Sequence, residues 1–157
     1  MLKPNDPVPT DISLLDLNGE QVFLNDYLDN LLLIYFYPRD NTPGCTLEAK
    51  KFRDLNQKLK GKGVKVIGIS KDSVKSHKKF HEKQQLNFEL LSDPDHKLQE
   101  AFGVWQEKRM MGNTYWGTVR STFLIDKKGK VINVWPRVNP QDHAQEVLDY
   151  VEKNLKK

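Results

Sequence analysis

The stretch that decides the fold opens with Leu31-Leu32-Leu33-Ile34-Tyr35-Phe36-Tyr37 and closes with Val64-Lys65-Val66-Ile67-Gly68-Ile69-Ser70. Both runs are almost entirely apolar, as expected for strands that are buried on both faces of a sheet. Between them, apolar residues recur at helical spacing from Thr42 to Lys60, and Gly61-Lys62-Gly63 ends this helix. A strand, a helix and a strand with short joints predict a βαβ unit, in which the two strands are parallel and the crossover is right-handed.

The flanking sequence extends this unit on both sides. Asn18-Gly19 separates two short apolar runs near the start and indicates an N-terminal β-hairpin. The second half predicts, in order, a helix over 73–85, a strand over 88–91, a helix over 95–102, a hairpin of 119–125 with 130–135, and a helix over 141–155. A βαβ half followed by a ββα half predicts an α/β protein with a thioredoxin-like fold, in which helices flank a central mixed sheet, here with an extra N-terminal hairpin.

Composition indicates one globular domain spanning residues 1–157. The chain is 38% hydrophobic and 10% aromatic, which argues against disorder. The longest apolar run is far shorter than the ~18 residues of a membrane-spanning helix, and the N-terminus lacks the apolar segment of a signal peptide. A single cysteine, Cys45, excludes an internal disulfide, a CxxC dithiol and a cysteine-rich zinc site. We expect a cytoplasmic protein, because a lone thiol stays reduced in that compartment.

The net charge of +4 arises from 25 basic and 21 acidic residues. Basic residues are interleaved with acids along the predicted helices rather than clustered, as in Lys50-Lys51-Phe52-Arg53-Asp54. This pattern is more typical of a solvated helix face than of a phosphate-binding surface. We therefore expect neither a nucleic acid nor a membrane as partner.

Cys45 follows the first buried strand and falls in the first turn of the helix after it. Thr42 is a good N-cap and Pro43 a good first helical residue. Free N–H groups and the helix dipole favour an anion at this position, so a reactive thiolate is one interpretation. The alternative is a small buried cysteine at a helix start, because free cysteines are among the most buried residues. These residues alone leave both interpretations open.

The wider motif resembles a known family. Tyr35-Phe36-Tyr37-Pro38 followed by Thr42-Pro43-Gly44-Cys45 is similar to the active-site signature of the peroxiredoxins. The form Thr-Pro-Gly-Cys-Thr resembles the bacterioferritin-comigratory-protein or peroxiredoxin-Q branch. The resemblance covers nearly the whole chain and includes the segments 87–93, 102–105 and 120–126.

The resemblance implies a role for four residues. Cys45 resembles the peroxidatic cysteine, whose thiolate attacks the peroxide and becomes a sulfenic acid. Thr42 resembles the hydroxyl that hydrogen-bonds the peroxide, and Arg120 the guanidinium that polarises the site. Pro38 resembles the residue that shields the cysteine from water. The implied activity is an antioxidant thiol peroxidase, without a cofactor, that reduces hydrogen peroxide and organic hydroperoxides.

Two further residues belong to the expected substrate-binding set together with Pro38. Gly44 lies within the signature, next to Cys45. Glu48 lies one helical turn after Cys45, where it either holds Arg120 in place or, as an acid near the helix N-terminus, complements the dipole. Both interpretations of Glu48 remain open.

The chain departs from the branch at Lys50, where these proteins often carry a resolving cysteine. Because Cys45 has no partner thiol in its own chain, its sulfenic acid must be reduced by an external thiol. The candidates are thioredoxin, glutaredoxin and a low-molecular-weight thiol. The alternative function is a peroxide sensor that uses Cys45 oxidation without efficient turnover. We expect a monomer, or at most a weak dimer.

Other chemistry-bearing residues give weaker indications. His77 and His81 have the i, i+4 spacing of a helical metal pair, but surrounding lysines favour a solvated helix surface, and no metal site is expected. Asp93-Pro94-Asp95-His96 indicates a turn and cap before the next helix. An aromatic and methionine-rich stretch follows, and it is either core or loop packing or a collar that admits organic hydroperoxides. Its residues are Trp105, Met110, Met111, Tyr115 and Trp116.

Overall fold

The computed structural model describes residues 1–155 and places nine strands and four α-helices in that range. The strands are β1 (Leu14–Leu15), β2 (Gln21–Val22), β3 (Leu31–Phe36), β4 (Val64–Ser70), β5 (Glu89–Ser92), β6 (Trp105–Met110), β7 (Asn113–Thr118), β8 (Ser121–Ile125) and β9 (Val131–Trp135). The helices are α1 (Pro43–Gly61), α2 (Val74–Lys83), α3 (Lys97–Phe102) and α4 (His143–Asn154). No helix within residues 1–155 is both long and apolar enough to cross a bilayer.

Seven strands form one mixed sheet in the order β2-β1-β5-β4-β3-β8-β9. Strand β3 lies parallel to β4, and β4 lies parallel to β5. The hairpin β8–β9 adds antiparallel to the other side of β3. The predicted βαβ unit, the N-terminal hairpin and the thioredoxin-like mixed sheet are therefore confirmed, although the N-terminal strands have only two residues each.

Alternate residues of β3 serve two separate cores, which explains why its sequence is apolar throughout. Leu33 and Tyr35 pack in a cluster with α1 and α4. Leu32, Ile34 and Phe36 pack on the opposite face, in a cluster that includes residues of α3. Because successive side chains of a strand point to opposite faces, both faces of this central strand are buried. The end of β3 and the start of α1 are thus fixed from both sides.

The hairpin β6–β7 was not predicted from the sequence. Its first strand contains Gln106-Glu107-Lys108-Arg109, which lacks the apolar–polar alternation of a half-buried strand. Its turn, Met111-Gly112, has positive φ at both residues (53° and 84°), as two-residue hairpin turns require, but lacks the usual Asn-Gly signal. The two strands form a separate two-stranded sheet beside the main one.

Candidate active site

Cys45 is the third residue of α1, and its side chain is buried at 2% exposure. Thr42 precedes the helix with extended backbone angles (φ −86°, ψ 154°), and its carbonyl accepts the first helical hydrogen bond, from Thr46 N–H at 2.9 Å. The predicted N-cap position is confirmed, but the Thr42 hydroxyl caps no backbone N–H. It donates instead to the Arg39 carbonyl at 2.9 Å. The first-turn amides next to Cys45 therefore keep their capacity to bind an anion.

Arg120 is the residue just before β8, and its side chain reaches this helix. Its Nη2 donates to Cys45 Sγ at 3.3 Å, and its Nη1 donates to Glu48 Oε1 at 2.7 Å. The planar guanidinium thus holds a thiol and a carboxylate that lie one helical turn apart, a geometry that a single ammonium cannot reproduce. Gly44 leaves space for this arrangement, since a Cβ at that position would lie 3.2 Å from Arg120 Nη2.

Burial controls the charge of the Glu48 carboxyl. Its side chain is fully buried, and burial raises its pKa to about 7, although the Arg120 charge and hydrogen bond act in the opposite direction. Its Oε2 has no hydrogen-bond partner among the described residues. For Arg120, burial lowers the pKa, but Glu48 and Cys45 outweigh this effect and the net shift is upward. The site therefore combines a permanent cation with a carboxyl group that titrates near neutral pH.

Two buried aromatic rings, those of Tyr35 and Phe52, lie next to these groups. The Tyr35 side chain is 1% exposed and stacks on Phe52 at 4.7 Å between ring centroids. Its hydroxyl has no hydrogen-bond partner within residues 1–155. Burial raises the Tyr35 pKa well above its usual value, and the Glu48 and Cys45 charges raise it further. Charged groups next to buried aromatic side chains interact strongly, because little water screens them.

A buried network fixes the segment between β3 and α1. The Asp40 carboxylate is buried and accepts from the Tyr37 hydroxyl at 2.6 Å and from the Ser76 hydroxyl at 2.9 Å. His77 Nδ1 lies 2.7 Å from the same carboxylate. The loop that leads to Thr42 is thereby tied to α2, so its backbone has little freedom.

The predicted solvated surface at His77 is wrong. His77 is 1% exposed, and its Nε2 lies 3.1 Å from the Leu91 carbonyl oxygen. Asp40, Asp72 and His77 lie close enough together to hold a cation. Each imidazole nitrogen of His77 thus lies within hydrogen-bonding distance of an oxygen atom of the protein. His81 is also partly buried, with Nε2 3.0 Å from the Phe88 carbonyl oxygen.

Sequence reasoning missed this network because Asp40 and His77 lie 37 positions apart. The only signal was Asp40 itself, a carboxylate placed directly after a buried strand. The turn expected at residues 93–96 is present, and Asp93 accepts from the N–H groups of Leu98 and Gln99 at the start of α3.

The aromatic and methionine-rich stretch occupies the hairpin β6–β7. Core packing is the wrong interpretation for four of its residues, because the side chains of Met110, Met111, Tyr115 and Trp116 are exposed. The collar for organic hydroperoxides stays a prediction. Pro38 is half-buried at the carboxyl end of β3, in the loop that precedes Thr42.

The fold and this geometry define a class of protein, a thioredoxin-like enzyme with one buried thiol beside a guanidinium. A model of the AhpC/TSA family matches residues 4–134. Peroxiredoxin Bcp of Bacillus subtilis (strain 168) is 48% identical over 138 residues, which cover 88% of each chain. Peroxiredoxin Bcp of Escherichia coli (strain K12) is 46% identical over 153 residues, or 98% of this chain and 97% of that one.

A solved structure agrees with these relatives. The bacterioferritin comigratory protein of Xanthomonas campestris superposes with a TM-score of 0.88 at 39% identity, covering 96% of this chain and all of that one. The chain belongs to the AhpC/TSA family and, within it, to the Bcp or peroxiredoxin-Q peroxiredoxins. It is a thiol peroxidase, so the resemblance noted in the sequence is confirmed, and the sensor alternative is not favoured.

Proposed function

We propose that Cys45 reduces hydrogen peroxide and organic hydroperoxides to water and alcohols, and that an external thiol recycles the oxidised cysteine. The observation that carries this proposal is the 3.3 Å contact between Arg120 Nη2 and the buried Cys45 Sγ. The Xanthomonas campestris relative, whose structures were analysed for alkyl peroxide reduction activity, supports the organic part of the substrate range.

The first step is attack of the Cys45 thiolate on one peroxide oxygen. The S–O bond forms as the O–O bond breaks, and the leaving oxygen takes a proton and departs as water or an alcohol. Negative charge moves from sulfur to the leaving oxygen, so fixed donors around both atoms lower the barrier. Arg120 supplies one such donor at Sγ. The Thr42 hydroxyl, now on the Arg39 carbonyl, supplies another when it turns toward the substrate.

Three residues position these groups. Glu48 orients the guanidinium through its 2.7 Å bond to Arg120. Gly44 lets that guanidinium approach the helix, and Pro38 covers the thiol against water. Pro38, Gly44 and Glu48 thus complete the site in which Cys45, Thr42 and Arg120 act on the peroxide.

The second step needs a thiol from outside the chain. Lys50, at the position that often holds a resolving cysteine, is exposed on α1. The sulfenic acid therefore reacts with one external thiol to give a mixed disulfide and water, and a second thiol releases Cys45 as thiol together with an external disulfide. Thioredoxin, glutaredoxin and small thiols are the candidate reductants. We place this reaction in the cytoplasm, in a single-domain protein that acts as a monomer or weak dimer.

A multiple-turnover assay tests the proposal. Peroxide consumption is followed with each of the three classes of reductant, for the natural chain and for Cys45→Ser. We expect many turnovers with at least one reductant, none with Cys45→Ser, and a single turnover when no thiol is supplied. Equal consumption by Cys45→Ser would contradict the proposal.

A further inference from the structure

A cavity of about 450 Å³ opens beside Arg120, on the side of the hairpin β6–β7. Its volume falls within the usual range for small-molecule sites. Four cationic side chains line it, and Glu107, itself exposed, is the one acidic residue among the lining residues. The cations are Lys108, Arg109, Arg120 and Arg137. A second cavity of similar volume, lined by Asn56, Lys60 and Glu89 among others, does not include Cys45 or Arg120 in its wall.

Three of the four cations of the first cavity have no acidic partner among the described residues. Within residues 1–155, Lys108, Arg109 and Arg137 form no salt bridge, and the bond of Arg120 to Glu48 uses only Nη1. Burial lowers the pKa of Lys108, the charges of Arg120 and Arg137 lower it further, and Cys45 acts in the opposite direction. Like charges held together at a partly desolvated wall favour a bound anion.

The wall also has a fixed shape. Lys108 and Tyr115 are opposite each other in the β6–β7 ladder, so their side chains share one face. A Cβ at Gly117 would lie 3.3 Å from the Tyr115 ring and 3.4 Å from the Lys108 stem. Because Gly117 has no side chain, the lysine stem and the tyrosine ring pack over it. The cavity therefore offers an apolar ring next to its positive charges.

We propose that this cavity binds the carboxylate of the small thiol that reduces Cys45 sulfenic acid. Arg120 belongs both to the cavity wall and to the Cys45 site. A short thiol whose carboxylate is bound by Lys108 and Arg137 thus lies beside the oxidised sulfur. Its sulfur attacks Cys45 Sγ, the S–S bond forms, the S–O bond breaks, and the hydroxyl leaves as water after taking the thiol proton. This inference rests on the proposed function, because it specifies the recycling thiol as small and acidic.

The test separates thiol reduction from peroxide attack. One equivalent of hydrogen peroxide first converts Cys45 to the sulfenic acid, and 3-mercaptopropionate or 2-mercaptoethanol is then added. The measured quantity is the ratio of the two reduction rates, compared between the natural chain and Lys108→Met or Arg137→Met. General effects of a variant on Cys45 cancel in that ratio. The matched control is Lys128→Met, which removes an exposed lysine from the β8–β9 turn.

We expect the ratio to fall about tenfold in either cavity variant at low ionic strength, the lower end of the effect of charged clefts on association rates. The fall should shrink at high salt, since the charges are then screened. The Lys128→Met control should keep the natural ratio, and propionate should slow reduction by 3-mercaptopropionate in the natural chain and in this control, but not in the cavity variants. An unchanged ratio in both cavity variants overturns the proposal.

A second experiment tests whether the cavity instead binds the carboxylate of a peroxide substrate. A hydroperoxide that carries a carboxylate is compared with its methyl ester in the oxidation step. If the cavity variants slow the acidic hydroperoxide selectively and leave the thiol ratio unchanged, the cavity serves the peroxide and the proposal is wrong. If neither small thiol reduces the sulfenic acid but thioredoxin or glutaredoxin does, the proposal is wrong and the proposed function stands. If no thiol of any class reduces it, the proposed function itself fails.

Discussion

Replacing Arg120 by methionine removes both guanidinium donors and keeps most of the side-chain stem. The lost Nη2 lies 3.3 Å from Cys45 Sγ. Negative charge moves from this sulfur to the leaving oxygen during the reaction. Removing one donor to such a charge lowers the rate by about 10²–10³-fold, or roughly 3–4 kcal/mol of barrier. We expect a loss of this size in the second-order rate with hydrogen peroxide. Arg120→Lys keeps the charge but cannot hold both Sγ and Glu48, so its rate should be intermediate.

The same substitution should affect stability less than the loss of a buried ion pair usually does. Breaking a buried pair by removing one partner costs about 3–5 kcal/mol when the other charge stays buried. Glu48, however, has a pKa of about 7 that Arg120 holds down. Without Arg120 this pKa rises further, so the carboxyl takes a proton at neutral pH and no bare charge remains.

Stopped-flow mixing with hydrogen peroxide measures the rate, and urea unfolding measures the stability of the same samples. Arg39→Met is the matched control, because Arg39 is exposed in the loop before Thr42 and forms no salt bridge within residues 1–155. The control should react at the natural rate. If Arg120→Met also reacts at the natural rate, the reasoning from the Sγ contact is refuted.

The remaining predictions concern pH, packing and the missing thiol. The folded-state pKa of Glu48 exceeds its ordinary value of 4.5, so the folded protein loses stability as the pH rises from about 4.5 to 7. Glu48→Gln should remove this loss. In urea unfolding, the free energy of unfolding of the variant should rise by about 3 kcal/mol relative to that of the natural chain between pH 4 and pH 8. An equal pH dependence in both chains would contradict this prediction. Gly68→Ala should cost about 1–3 kcal/mol, because its Cβ would lie 2.8 Å from the Tyr35 ring; unchanged unfolding would show that the ring yields freely. Lys50→Cys should give an internal disulfide with Cys45 after one equivalent of peroxide, if α1 unwinds locally; an intact mass with only an added oxygen would show that it does not.

The elements that sequence reasoning predicted are those with a strong local signal. β4 was predicted over its full range, Val64–Ser70, because the run is almost entirely apolar and follows Gly63. The helix expected from Asp95 begins two residues later, at Lys97, since His96 has left-handed backbone angles. The hairpin β6–β7 was not predicted because β6 is rich in charged residues and the first residue of the turn is a methionine.

The same distinction, between residues with a local sequence signal and residues without one, applies to the active site. The placement of Cys45 at the N-terminus of α1 follows from local pattern alone. The resemblance pointed to Arg120, which contacts Cys45 Sγ, whereas the contact of Glu48 with Arg120 was one of two interpretations that the sequence left open. The Asp40–His77 pair could not be read from the sequence, because it joins two elements that only the tertiary fold brings together. Lysines around His77 indicated solvent, yet the histidine itself faces inward from α2.

The central claim is that Cys45 alone carries the oxidation and that an external thiol is needed for each turnover. Intact mass measured after one equivalent of hydrogen peroxide, with and without a small thiol, tests it most directly. The account predicts one added oxygen on Cys45 when thiol is absent, and one added thiol in disulfide linkage, with loss of water, when it is present. Continued turnover without any thiol, or an oxygen located on a residue other than Cys45, would contradict it.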